Sequence, residues 1–141
     1  MIENISANIS ECPQNKGVTL LTLKGDIDAD TAPEFEKILS SVLQDNKINL
    51  VVDLKDVNYI SSAGWVAFIN EINGIREKKG DLVLAGMSPE VREVFDILEF
   101  KSVFKYFPDV KSAVKKGFKS KTPWARKTPM PFRGIGTETP A

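Results

Sequence analysis

The chain has 141 residues, 42% of them apolar and 27% charged, with 19 basic and 19 acidic side chains, no histidine and one cysteine. That length and balance suit one globular domain with a real hydrophobic core. Ser-His-Asp and Cys-His chemistry and histidine-built zinc sites are excluded within the chain, since each needs an imidazole, and Cys12 alone supplies neither an internal disulfide nor a thiolate-rich metal site.

Ile5, Ala7 and Ile9 alternate with polar residues and predict a half-buried edge strand. Gly17 marks a turn, and Val18 to Lys24, richer in leucine, predicts a second strand antiparallel to the first; Gly25-Asp26-Ile27-Asp28 ends it. Thr31 and Glu34 have the spacing of a capping box, with Pro33 in the first turn. Phe35, Ile38, Leu39, Val42 and Leu43 then form the stripe of an amphipathic helix. Leu50 to Leu54 reads as a buried central strand. A second helix is expected from Ser62 or Ala63, with Trp65, Phe68, Ile69, Ile72 and Ile75 inward. Lys78-Lys79-Gly80 closes it, cations at the dipole's negative end and glycine where a left-handed residue is wanted. Leu82 to Ala85 is a further buried strand. Ser88-Pro89 caps a third helix striped by Val91, Val94, Phe95 and Leu98. Val103 to Phe107 is expected as a last edge strand, and Pro108 opens a short helix over Val110, Ala113 and Val114. The order β-β-α-β-α-β-α-β-α implies an α/β fold with right-handed crossovers, in which a mixed, mostly parallel sheet of about five strands carries about four helices.

The zero net charge hides an asymmetry. Residues 1–114 carry 12 basic and 18 acidic side chains, whereas residues 115–141 carry seven basic and one acidic. The second stretch holds four of the eight prolines and shows no strand or helix period. Residues 1–115 are therefore expected as the domain and 116–141 as a basic, proline-rich, disordered tail. Trp124, Met130 and Phe132 punctuate its cations in the manner of a short contact motif, while the charges are too sparse to indicate nucleic-acid binding. No apolar run approaches the ~20 residues of a membrane span, and the N-terminus lacks the basic and apolar regions of a signal peptide. A cytoplasmic protein with no membrane and no nucleic-acid partner is expected.

The most informative stretch runs from Asp53 to Trp65, where a buried strand passes through a short loop that delivers two serines to a helix start. The first-turn N–H groups there favour an anion, so a phosphate on Ser61 or Ser62 fits the field; equally, one serine serves as the N-cap. The stretch lacks GxxxxGK[ST] and GxGxxG, so it is no nucleotide loop, and a catalytic serine would lack its base. Asp26, Asp28, Asp53 and Asp56 all lie at strand ends, where aspartate is more often a turn former than half of a carboxylate pair.

Three segments in order resemble the STAS domains of the bacterial anti-sigma-factor antagonists. Asp53-Leu54, Val57, Tyr59-Ile60 and Ser61-Ser62-Ala63-Gly64 match the signature in which a strand end is followed by Asp-Ser-Ser/Thr-Gly. Gly25-Asp26-Ile27-Asp28 with Thr31-Ala32 matches a second element, and Gly86-Met87-Ser88-Pro89-Glu90-Val91 a third. The resemblance spans about residues 5–115. It places the phosphoacceptor on Ser62, with Ser61 where the family has aspartate and Ala63 where it has serine or threonine, so Ser61 is the runner-up. It also places Asp28 near the phosphoserine loop. What it implies is a non-enzymatic switch: unphosphorylated, the domain binds an anti-sigma factor with serine-kinase activity through Asp26, Asp28, Ser61, Ser62, Ala63 and Gly64. The kinase, holding its own ATP and Mg²⁺, phosphorylates Ser62, and a PP2C-type phosphatase reverses the step. No cofactor and no metal site are expected in this chain. The alternative is a STAS scaffold or interaction module in a pathway without a sigma factor. A small α/β enzyme is disfavoured by the missing histidine and phosphate loop, and a detached anion-transporter domain by the missing membrane segment.

Overall fold

A computed structural model describes residues 5–12, 15 and 17–118. Five strands, β1 (Ser6–Glu11), β2 (Thr19–Lys24), β3 (Asn49–Asp56), β4 (Asp81–Ala85) and β5 (Lys105–Phe107), form one sheet in the order β1-β2-β3-β4-β5. The β1–β2 pair is antiparallel and the other three pairs are parallel. Helices α1 (Ala32–Gln44), α2 (Ser62–Glu77), α3 (Pro89–Ile97) and α4 (Val110–Gly117) alternate with the parallel strands, and a 3-10 turn at Phe100–Ser102 precedes β5. The α/β architecture and element order agree with expectation.

Strand alternation divides the buried residues between two faces. On one, Leu21, Leu23, Leu50, Val52, Leu54, Leu82 and Leu84 pack against α1, α2 and α3 through Phe35, Leu39, Phe68, Ile72 and Phe95. Trp65 lies among Phe68, Phe95 and Phe100, with ring centroids 5.2–5.6 Å away. On the other face, α4 lays Ala113 and Val114 over Val51, Val83 and Ala85. Because the chain runs β-α-β in parallel, the N-termini of α1, α2 and α3 gather at the C-terminal ends of the strands, where open parallel sheets keep their binding crevices.

Several local expectations change. All of β1 is exposed, Ala7 and Ile9 included, and only Ile5 just before it joins the core, because alternation supplies a face and not a covering helix. Leu98 is likewise 40% exposed beyond the end of α3. The Val103 end of the predicted last strand belongs to the 3-10 turn, and β5 itself begins at Lys105. The left-handed residue after α2 is Lys79 (φ 72°), not Gly80. Gly80 is instead required by close approach, since a Cβ there would overlap the Ile48 backbone. Lys116 and Gly117, expected to open the tail, lie within α4 and Phe118 closes it; the rest of the expected tail, from 119 onward, lies outside the described residues. No helix among the described residues is long and apolar enough to cross a membrane.

Candidate functional site

The site is built from two turns stitched together. Gly25 takes a positive φ of 107° and turns β2 away from its ladder. Ile27 then forms an isolated parallel bridge with Ile60: its N–H donates to Tyr59 O at 2.9 Å, and its carbonyl accepts from Ser61 N at 2.8 Å. The β2–α1 and β3–α2 turns are thereby held side by side. Asp26 and Asp28 on the first turn and Ser61, Ser62, Ala63 and Gly64 on the second, all six expected at one surface, share this mouth. Gly64 keeps the turns in contact, because a Cβ there would lie 2.7 Å from Ile27 Cγ2, 2.8 Å from Ile27 O and 2.9 Å from Ile60 Cγ2.

The two serines have different duties. Ser61 is the N-cap of α2, extended at φ −79°, ψ 173°, and its Oγ accepts from Gly64 N at 3.2 Å. Ser62 is the first residue of the helix and is exposed, and among the described residues its hydroxyl has no hydrogen-bond partner. The cap thus uses one serine and presents the other. No acid occupies the first turn of α2, so the partial positive charge of that helix end is left for an incoming anion.

At α1 the expected capping box does not form. Thr31 Oγ1 turns back instead, donating to Asp26 O at 2.8 Å and accepting from Asp28 N at 2.9 Å. In the turn before α1, Asp28 Oδ1 accepts from Asp30 N (2.9 Å) and Thr31 N (3.1 Å), and its backbone carbonyl accepts from Ala32 N at 2.8 Å. Asp28 is therefore a turn former ahead of α1 as well as a neighbour of the serine loop. Asp26, Asp30 and Asp56 are exposed around it, Asp56 being tied in by Gly25 N donating to its carbonyl at 3.2 Å. Of the four aspartates expected at strand ends, Asp53 lies inside β3, which runs on to Asp56; it is buried, with Lys55 Nζ at 3.0 Å, and that carboxylate raises the Lys55 pKa through hydrogen bonding and charge.

Tyr59 and Val66 were not expected as site residues. They flank the serines and are 49% and 51% exposed, while Ile60 and Trp65 beside them are buried. Tyr59-Ile60 reads in the sequence as an apolar pair; only the bridge to Ile27 decides which member points inward. Among the described residues no cluster of His, Cys, Asp or Glu could hold a metal ion.

The profile of the STAS domain matches residues 10–113. BtrV of Bordetella bronchiseptica, whose name assigns it provisionally to the anti-sigma factor antagonists, is 34% identical over 88 residues, covering 62% of this chain and 76% of BtrV. The anti-sigma-B factor antagonist of Staphylococcus aureus is 26% identical over 99 residues, covering 70% of this chain and 91% of its own. Among solved structures, the unphosphorylated form of the anti-sigma factor antagonist SpoIIAA superposes with a TM-score of 0.61 at 12% identity, over 82% of this chain and 100% of that one. SpoIIAA has also been solved phosphorylated. At that identity the match speaks to the fold alone.

Proposed function

The chain belongs to the STAS domain family, and from that premise we propose that it is an anti-sigma-factor antagonist whose binding is switched by phosphorylation of Ser62. The observation that carries this reading is the exposed Ser62 hydroxyl at the first position of α2, without a hydrogen-bond partner among the described residues, with Ser61 occupied as the cap. The names of the relatives point to the same partner class. In the unphosphorylated state the mouth made by Asp26, Asp28 and Ser61–Gly64 binds a kinase-type anti-sigma factor and keeps it from its sigma factor.

The partner kinase supplies ATP and Mg²⁺. The Ser62 Oγ attacks the γ-phosphorus, the bond from that phosphorus to the β,γ-bridging oxygen breaks, ADP leaves, and the hydroxyl proton passes to a base on the kinase. A PP2C-type phosphatase returns the serine by hydrolysis. The product carries about −1.5 to −2 charges at neutral pH. The N-terminal field of α2 tolerates that charge within the domain, whereas a partner packed on the mouth meets it beside Asp26, Asp28 and Asp30. An unpaired charge buried at such an interface costs about 2–5 kcal/mol, or roughly 30- to several-thousand-fold in affinity.

The test is a titration of wild type, Ser62→Asp and Ser62→Ala against the purified partner kinase, with circular dichroism on each variant. Ser62→Asp is expected to bind more weakly and Ser62→Ala to bind but resist ATP-dependent release. If folded Ser62→Asp and true phosphoserine at 62 both bind as tightly as wild type, the mouth is not the switch.

A further inference from the structure

The two edges of the sheet are finished differently. β5 is three residues long and carries Lys105, and short length and lysine are ordinary ways of blunting an edge. β1 has neither device. Ser6–Glu11 is six residues without lysine or proline, its register with β2 runs without a bulge, and among the described residues it pairs with β2 alone. Cys12 N donates to Val18 O at 3.0 Å. Bonded and non-bonded pairs alternate along an antiparallel ladder, so Ser10, Asn8 and Ser6 turn their N–H and C=O groups to β2. Those of Ala7, Ile9 and Glu11 point out from the edge. The Ala7 and Ile9 side chains, opposite Leu23 and Leu21, stand on the face that α1 covers. Yet α1 does not reach them: Ile9 is 46% exposed, and a groove lies between it and the last turn of α1.

We infer that β1 pairs antiparallel with β1 of a second copy, joining the two sheets across a two-fold axis at Asn8. Self-complementarity of the strand favours a second copy over a foreign one. Outward-facing residues must meet outward-facing residues. With the axis at Asn8, Ala7 meets Ile9 of the second copy and Glu11 meets Ile5, so the outward backbone groups are paired to both ends of the strand. An axis at Ala7 or at Ile9 leaves one end of each strand unpaired. The side chains agree with this register. On the α1 face, Ile9 covers Ala7 of the second copy, and the two Ile9 side chains lie diagonally across the axis. On the opposite face Asn8 meets Asn8 and Ser6 meets Ser10, polar against polar. The strand's one charge, Glu11, lies at an end and far from its symmetry mate, so no like charges face each other. A contact of one strand per copy is at the small end of the interface range, so the dimer forms and dissociates with concentration. The axis is normal to the sheet and reverses β2 as well as β1, so the two serine mouths open in opposite directions. On the proposed role of Ser62, the dimer therefore receives two partner molecules without one blocking the other.

The experiment is sedimentation equilibrium on the full-length chain from about 10 µM to about 1 mM, the range of weak complexes, with an oxidative cross-link to read the register. The weight-average mass of wild type should rise from 15.6 kDa toward twice that value. Ile9→Lys sets two cations diagonally across the axis, and Ala7→Pro removes an N–H that β2 does not use. Both should keep the wild-type circular dichroism and stay monomeric over the whole range. Asn8→Cys leaves the ladder and the apolar contact unchanged. Its thiols face each other in a non-hydrogen-bonded pair with Cα atoms about 4.5 Å apart, within disulfide reach, so mild oxidation should link two copies. Ser10→Cys lies about 14 Å along the strand from its symmetry mate and should not link; Cys12 is buried in both variants. A wild type still monomeric at the highest concentration would overturn the inference. So would a dimer that both edge variants leave intact, which would belong to another surface such as exposed Ile97 and Leu98. Equal linking of Asn8→Cys and Ser10→Cys would contradict the pairing, and this comparison decides the matter where an edge variant folds poorly. No kinase enters the measurement, so a failed dimer leaves the Ser62 assignment standing, and a Ser62 that takes no phosphate leaves the dimer standing.

Discussion

Two helix N-termini meet at the mouth, and they are finished with different chemistry. At α1, Asp28 gives a carboxylate oxygen to two backbone N–H groups, Thr31 braces the turn, and Glu34 adds an acid to the first turn. At α2, one neutral hydroxyl takes one N–H, and the first turn holds no acid. The first end carries carboxylates of its own chain in the turn and the first helical turn; the second carries none beside an exposed serine. The proposed phosphate on Ser62 would meet the open, partly positive end of α2.

The contrast depends on the turns staying in contact, and Gly64→Ala is the severest way to break it. The added methyl overlaps the Ile27 side chain and carbonyl and the Ile60 side chain, and overpacking of that kind costs about 3 kcal/mol. Urea unfolding should show a midpoint shift of that size; an unchanged midpoint would mean that the turns separate freely. Removing the turn carboxylate before α1 is next. Asp28→Ala, which loses both turn hydrogen bonds, should destabilise by about 1–2 kcal/mol, whereas Asp28→Asn, which keeps an acceptor oxygen, should recover most of that loss. Equal loss in both would mean that charge and not hydrogen bonding matters at α1. Ser61→Ala should cost about 1 kcal/mol. Ser61→Asp, which places at 61 the residue the resembled signature carries, should recover that stability and leave Ser62 a substrate in a kinase assay.

A third N-terminus sharpens the comparison with the smallest effect. Asp109 caps α4, accepting from Ser112 N at 2.8 Å, and that hydrogen bond holds its carboxyl below the usual carboxylate range. A depressed folded-state pKa contributes stability that is present above the unfolded value and is lost as pH falls through the folded one. Asp109→Ala should therefore lower the melting temperature slightly at neutral pH and not at strongly acidic pH. An equal effect at both would assign the loss to packing instead of the carboxylate.

Much of this arrangement is legible in the sequence where a single physical preference dominates. The stripe Phe35, Leu39, Val42 and the stripe Trp65, Phe68, Ile72, Ile75 are buried as their spacing requires. Ser88 caps α3 onto Val91 N as its Ser-Pro start implies. The errors fall where two local solutions compete. Thr31 can cap α1 or brace the preceding turn, and Asp28 three residues earlier, bonded to Thr31 N, holds it in the turn. Lys79 and Gly80 divide the positive φ and the close approach that one glycine was expected to supply. Of Ser61 and Ser62, adjacent and chemically identical, only the bridge between Ile27 and Ile60 decides which rotates into the cap. That bridge joins residues 33 apart and has no local signature.

Peptide mass spectrometry after incubation with the partner kinase and ATP, on wild type, Ser61→Ala and Ser62→Ala, tests this division of labour most directly. The phosphate is expected on Ser62 in wild type and in Ser61→Ala, and nowhere in the loop of Ser62→Ala. Phosphate on Ser61 in wild type, with Ser62→Ala still an efficient substrate, would contradict it.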